Sequence, residues 1–416
     1  MDNPAQDSSR RRDTLPEKLI VLLLYVGCLV VLGPTLQLSQ WYVGPENNPG
    51  AAEALAWLDG HIDLEGRGGD IARYEGHNYS IFPPLWTIIC FCAYGFNQLV
   101  FGEPLVFMPW LYALIVAGPI PLFYYLAFRR AGTSCGWAAV LAFGAAAGTC
   151  LWPVATMLSG TRTAWIYSIQ HILAQNGLAL IVMDLLGRKR FWPAGLGVLV
   201  AAWSRQPCYL YALPVLWLAF RSPRPANALL RAGIPIAIAG IVTGGLNYAK
   251  FGSPFESGYR YLFAEVDLPK DDPLRGPTGN IEIVSLRYLP HHAYDMFISP
   301  PDAYMTGNGP VITGAGPQTA LWYGTPLFAL TLLGIHRWWP DRTKRTLMLS
   351  TLPVMFVALI WHGPVEGCPG YYRYTLDFGL IWLAVIAAWT EQPRMRVISL
   401  VCLAWGVFYF YMLGRT

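Results

Sequence analysis

Long apolar runs separated by short basic clusters constrain this chain more than any single residue does. Runs such as 105–128, 136–157, 166–186 and 232–250 approach or exceed the roughly 20 residues that a helix needs to cross a bilayer core. They recur along all 416 residues, of which 54% are hydrophobic and 13% charged. A soluble domain carries roughly 25% charged residues. The expected class is therefore an all-α integral membrane protein, with a cytoplasmic tail over 1–18 and a polytopic membrane domain over 19–416.

The charges supply an orientation. Arg129/Arg130, Arg188/Lys189/Arg190, Arg221/Arg224/Arg231, Arg337/Arg342/Lys344/Arg345 and Arg394/Arg396 all fall between apolar runs. By the positive-inside rule they share the cytoplasmic side with the N-terminus if the spans between them pair as hairpins. That requirement predicts about 11 crossings (range 10–13), including a short pair over 191–203 and 208–220. It leaves Phe82–Phe101 as a Pro-led segment that lies in the interface or re-enters without crossing. A net charge of +4 offers nothing to nucleic acid, and the eight cysteines show neither a disulfide framework nor a zinc spacing.

The opposite, outer face then owns a large loop over 41–103 and a second over 251–318, with shorter segments at 158–167 and 362–374. Between Trp41 and Ser80 stand Glu46, Glu53, Asp59, Asp63, Glu65, Asp70 and Glu75 against Arg67 and Arg73. Ala51–Leu58 reads as a short helix lying at the surface. The plain account of each acid is a solvated loop residue. A carboxylate partly desolvated at the membrane surface is also a proton acceptor for a sugar or lipid hydroxyl, which singles out Glu46, Asp70 and Asp63, with His61 beside them.

Three arginines stand out against apolar surroundings. Arg162 in LSGTRTAWIYS and Arg205 in AAWSRQPCY read either as snorkelling or ion-paired structural charges or as phosphate clamps, since a guanidinium holds two phosphate oxygens and stays charged near lipid. Arg373 in YYRYTLDF is four residues before Asp377, so an intrahelical ion pair is expected there. FGSPFESGYRY adds Tyr259 as a contact residue of the second loop.

The order of these features resembles the membrane glycosyltransferases of the GT-C class, among them the protein O-mannosyltransferases and the aminoarabinose transferases, and especially uncharacterised bacterial GT-C-like proteins. The carriers are Glu46 ahead of the helix 51–58, Gly60 and Asp63 after it, then Gly76, Tyr79, Pro83, Pro84 and Leu85, with FGSPFESGY and YYRYTLDF later. Two departures stand out: the paired Asp-Glu of the acidic motif is reduced to Glu46, and Phe82 replaces the lysine before Pro-Pro. The resemblance implies transfer of a hexosyl or pentosyl group from a polyprenyl-phosphate donor to a glycan, lipid or protein acceptor, with inversion, on the outer face of a bacterial inner membrane. It implies Glu46, Asp70 and Asp63 as catalytic acids, Arg162, Arg205 and Arg373 on the donor phosphate, and His61, Tyr79, Tyr259 and Asp377 on substrate. No cofactor is required, although the acidic loop could hold one divalent cation. The reading from another class is a polytopic transporter or a flippase of envelope glycan precursors. Transporters favour two matching halves and broken helices at mid-membrane, and no such halves are visible.

Overall fold

A computed structural model describes residues 48–64, 71–104, 118–151, 154, 165–262, 282–306, 309–313, 319–361 and 373–413, with isolated positions in 19–26. In chain order its elements are α1 (Pro49–Leu58), the hairpin β1 (Ile71–Tyr74) and β2 (His77–Ser80), α2 (Leu85–Phe101), α3 (Pro119–Arg130) and α4 (Cys135–Ala147). Next come α5 (Trp165–Leu185), α6 (Trp192–Ala202), a 3-10 turn over Gln206–Tyr211, α7 (Ala212–Phe220) and α8 (Pro225–Phe251). The second half contains α9 (Leu289–Phe297), a hairpin of β3 (Asp302–Thr306) and β4 (Gly309–Thr313), and the short helices α10 (Leu321–Gly324), α11 (Leu327–Leu333) and α12 (Ile335–Trp338). It closes with α13 (Arg342–Ile360), a 3-10 turn over Arg373–Asp377, α14 (Gly379–Thr390) and α15 (Pro393–Leu413).

The protein is predominantly α-helical, and among the described residues three helices are long and apolar enough to cross a membrane: α8, α13 and α15. That is a smaller set than the predicted 11 (10–13). The pair expected to be short over 191–203 and 208–220 is short: the first forms the 11-residue α6, and the second divides at Ala212 into a 3-10 turn and the 9-residue α7. At 27 residues α8 is about 40 Å long, more than the ~30 Å of a bilayer core. Only 17% of its most apolar stretch is buried in protein, so Leu230, Ile234, Ile238 and Ile241 present an apolar surface that water would not tolerate.

Small residues set the tightest helix contact. A Cβ on Gly177 of α5 would meet the backbone N of Ala201 at 2.5 Å, and one on Gly197 of α6 would meet the backbone O of Gly177 at 2.6 Å. The two backbones touch directly, the close approach that small residues allow.

Side-chain contacts bring the five basic clusters to one end of the bundle. Trp137 Nε1 donates to Thr390 Oγ1 at 2.9 Å and the Arg396 guanidinium lies 5.3 Å from the Trp137 ring, joining the α3–α4 and α14–α15 turns. His336 packs 5.7 Å from Trp389, Lys189 Nζ donates to Thr343 Oγ1 at 2.8 Å, and Arg342 and Arg221 both lie over the Trp217 ring.

The first loop differs from its sequence reading in two ways. Ala51–Leu58 is not a surface helix: α1 begins at Pro49, capped by Asn48 Oδ1 accepting from the N–H of Gly50 and Ala51, and it buries Ala51, Glu53, Ala54 and Ala56. The cause is α2, against which it packs, with Trp57 6.0 Å from Phe91 and Gly50 close on Trp86. The polar stretch IARYEGHNYS is a hairpin in which Ile71 faces Ser80 and Tyr74 faces His77. Its two-residue turn needs positive φ at both positions, and Glu75 (52°) and Gly76 (86°) supply it.

Candidate functional site

The end opposite the basic clusters holds a continuous polar layer. At its centre, on α5, His171 is fully buried and its Nδ1 lies 3.0 Å from Asp377 Oδ1. Arg205 reaches the same carboxylate from the turn after α6, with Nη2 3.1 Å from Oδ2 and Nε 3.4 Å from Oδ1. Tyr211 OH donates to the Asp377 carbonyl at 2.7 Å; Gln175 Nε2 donates to the Leu376 carbonyl at 2.6 Å and is itself held by Tyr124 OH. The carboxylate fixes an Nδ1–H tautomer on His171, and among the described residues the buried Nε2 has no hydrogen-bond partner.

Tyr374 joins the two predicted cations. Its ring stands 5.4 Å from the Arg205 guanidinium and 5.3 Å from that of Arg373, and meets His171 edge-on at 5.6 Å. Residues 373–377 form a 3-10 turn with three residues per turn, so positions four apart do not share a face as they would on an α-helix. Asp377 is accordingly engaged by Arg205 and His171 rather than by the helical pairing with Arg373 expected from sequence. With 1% of its side chain exposed, Asp377 orients its neighbours and does not itself present a face to a substrate.

From Arg205 the layer runs outward to the first loop. Gln206 Nε2 donates to the Ile81 carbonyl at 3.2 Å and its Oε1 accepts from Tyr259 OH at 3.3 Å, while Tyr259 packs edge-on against Trp361 at 4.7 Å. Beside it Tyr79 is buried against Phe251, ring centroids 5.5 Å apart, and burial pushes its phenol up from the usual range. Tyr79 is therefore part of the packing that seats the hairpin. A second buried group pins the same hairpin: Lys250, at the last turn of α8, pairs with Glu53 of α1 and donates to the Ser80 carbonyl at 2.9 Å, and Thr87 Oγ1 donates to Glu53 Oε2 at 2.8 Å.

Asp63 sits at the exposed edge of this assembly, with Oδ2 2.9 Å from His77 Nδ1. His61 folds back, its Nδ1 2.9 Å from the Asp63 carbonyl oxygen. The hydrogen bond from His77 holds the Asp63 carboxyl below the usual carboxylate range. Glu46, Asp70 and Arg162 lie outside the described residues. No three His, Cys, Asp or Glu side chains converge as a metal site among the described residues.

No known protein family, curated protein or solved structure matches this chain. The site's chemistry is thus read from its own geometry. Arg205 and Asp377 pair directly, Arg373 shares the Tyr374 ring with Arg205, Tyr259 is joined to them through Gln206, and Asp63, His61 and Tyr79 lie with the hairpin beyond it. Sequence reasoning missed His171, Gln175 and Lys250 as site residues. Their signal was present, because ionisable and amide side chains inside apolar helices are costly and mark sites by default.

Proposed function

We propose that this chain is a polytopic membrane glycosyltransferase, with about eleven crossings and its basic end in the cytoplasm, that moves a sugar from a polyprenyl-phosphate donor to an acceptor on the outer face. The observation that carries the reading is the pairing of Arg205 with buried Asp377, with Arg373 on the Tyr374 ring that Arg205 also meets and Tyr259 and the acidic loop's hairpin joined through Gln206, at the end opposite every basic cluster. Two guanidinium charges against one carboxylate leave a net positive site. That is the electrostatic requirement for stabilising a departing lipid phosphate.

The reaction is a single displacement. The acceptor oxygen forms its bond to the anomeric carbon as the bond from that carbon to the donor phosphate oxygen breaks, and the phosphate departs with the electron pair. A loop carboxylate removes the acceptor's proton. We assign that role to Glu46 or Asp70. Asp63, held in its weakly basic form by His77, orients the histidine instead. Arg373 contacts the phosphate, and Arg205 spends two donors on Asp377 and keeps the rest for the ligand.

The test is transfer by the purified full chain in nanodiscs supplied with radiolabelled polyprenyl-phosphate sugars and a hydroxyl acceptor. Transfer by the wild type, lost in Arg373→Ala and in either Glu46→Gln or Asp70→Asn, is the expected result. Undiminished transfer in Arg373→Ala removes the phosphate assignment.

A further inference from the structure

The basic end contains a cavity of about 510 Å³ that the transfer chemistry does not use. Its walls come from three places: the turn after α5 gives Arg188, Lys189 and Arg190, the turn between α7 and α8 gives Arg221 and Arg224 with Arg231 on the second turn of α8, and the start of α13 gives Arg342. Of its 14 lining residues these seven are cationic and none is acidic. All seven side chains are exposed, and the fold sets them around one opening.

Among the described residues, none of the seven pairs with a carboxylate. The closest acid in sequence, Asp184, accepts from the backbone N–H groups of Arg190 and Phe191 at 2.8 and 2.7 Å, so its one charge lies beside Arg190 and forms no ion pair with the other six. Asp341 is spent on the N–H of Lys344 at 3.0 Å.

The wall also carries unused donors. Ser222 Oγ is buried in the lining with no hydrogen-bond partner among the described residues. The 27-residue α8 starts here with Arg224 at its cap and no side-chain acceptor on its first N–H groups, so the positive end of its dipole faces the same cavity through Asn227 and Ala228. At the rim, Arg221 stacks 4.8 Å from Trp217, which is 46% exposed and lies 6.4 Å from the half-exposed Phe220. Exposed aromatics at this level belong to the headgroup zone of a bilayer.

We propose that this cavity binds the headgroup of an anionic membrane phospholipid, one carrying two or more negative charges on phosphate, with its acyl chains leaving past Trp217 and Phe220. Cations supply the charge match, Ser222 and the first turn of α8 supply neutral donors, and the aromatic rim distinguishes a lipid from a free phosphate. The site is at the far end from the proposed transfer chemistry and stands independently of it.

The experiment is native mass spectrometry of the full chain, with retained lipid measured during titration with phosphatidylcholine, phosphatidylglycerol and cardiolipin. Wild type is expected to retain cardiolipin preferentially. The variant Arg221→Ala/Arg224→Ala/Arg231→Ala is expected to lose about a hundredfold in cardiolipin affinity, from the contribution of each cation near an anionic headgroup. A charge-matched control, Arg130→Ala/Arg337→Ala/Arg394→Ala, removes three cations of the same end outside the cavity and is expected to bind as wild type. Ser222→Glu, which puts an acid in the cavity with little change elsewhere, gives the same readout if the triple variant does not fold. Equal losses in the cavity and control variants, or no loss in either cavity variant, overturns the site. Inorganic pyrophosphate that displaces cardiolipin at similar concentration overturns the lipid assignment in favour of a soluble anion.

Discussion

Replacing Lys250 by methionine tests how the first loop is held against the bundle. The ammonium is buried between α8, α1 and the hairpin, where it pairs with Glu53 and donates to the Ser80 carbonyl at 2.9 Å. Lys250→Met keeps the volume and leaves Glu53, itself 1% exposed, as a buried carboxylate with only the Thr87 hydroxyl at 2.8 Å. Removing one partner of a buried pair costs about 3–5 kcal/mol, because the other charge is left desolvated and uncompensated. Glu53→Gln strands the lysine and costs a comparable amount. The double variant Glu53→Gln/Lys250→Met leaves no buried charge, keeps a Thr87 partner, and is expected to lie within about 1–2 kcal/mol of wild type. Hydrogen exchange of the α1 amides reads the local opening: each single variant should speed it by roughly a hundredfold or more, and the double variant should restore most of the protection. Single costs below about 1 kcal/mol, or a double variant whose cost equals the sum of the singles, would refute the idea that this pair pins the loop.

Three further outcomes follow from the same geometry. Asp377→Asn removes the acid that Arg205 shares with His171 and is expected to lower stability by about 3–5 kcal/mol in a detergent unfolding titration. Asp63, whose carboxyl is lowered by His77, contributes hairpin stability that is fully present above the unfolded value of about 3.9 and is lost as pH falls through the lower folded value. Because the pair is exposed the effect is at most ~1 kcal/mol, and an acid titration of hairpin hydrogen exchange should lose this step in His77→Ala. Gly197→Ala places a methyl 2.6 Å from the Gly177 carbonyl oxygen, so α5 and α6 must separate at a cost of about 1–3 kcal/mol, measured by thermal denaturation.

Arg205 shows how far sequence reading reached into the site. A charge between two short apolar segments demands a partner, and that demand is legible at position 205 alone. Its partner, Asp377, is 172 residues away, and the sequence spacing pointed to Arg373 because it assumed an α-helix. The backbone there is a 3-10 turn, which changes what four residues of separation mean. Glu53 was legible as one acid among seven. It became a buried ion pair because α1 packs on α2 instead of lying at the surface.

The sequence by itself determined the apolar runs, the helical content and the five basic clusters, because these depend on composition and short-range pattern. Hydropathy is local, and a cluster of arginines resists burial wherever it occurs. Only the tertiary structure decided that the five clusters share one end, that seven of their cations surround a cavity without an acid, and that His171, Arg205 and Asp377 meet at the other end. Those facts depend on which helices touch. Helix pairing is set by close-packed surfaces such as Gly177 against Gly197, whose fit is a property of two distant segments together.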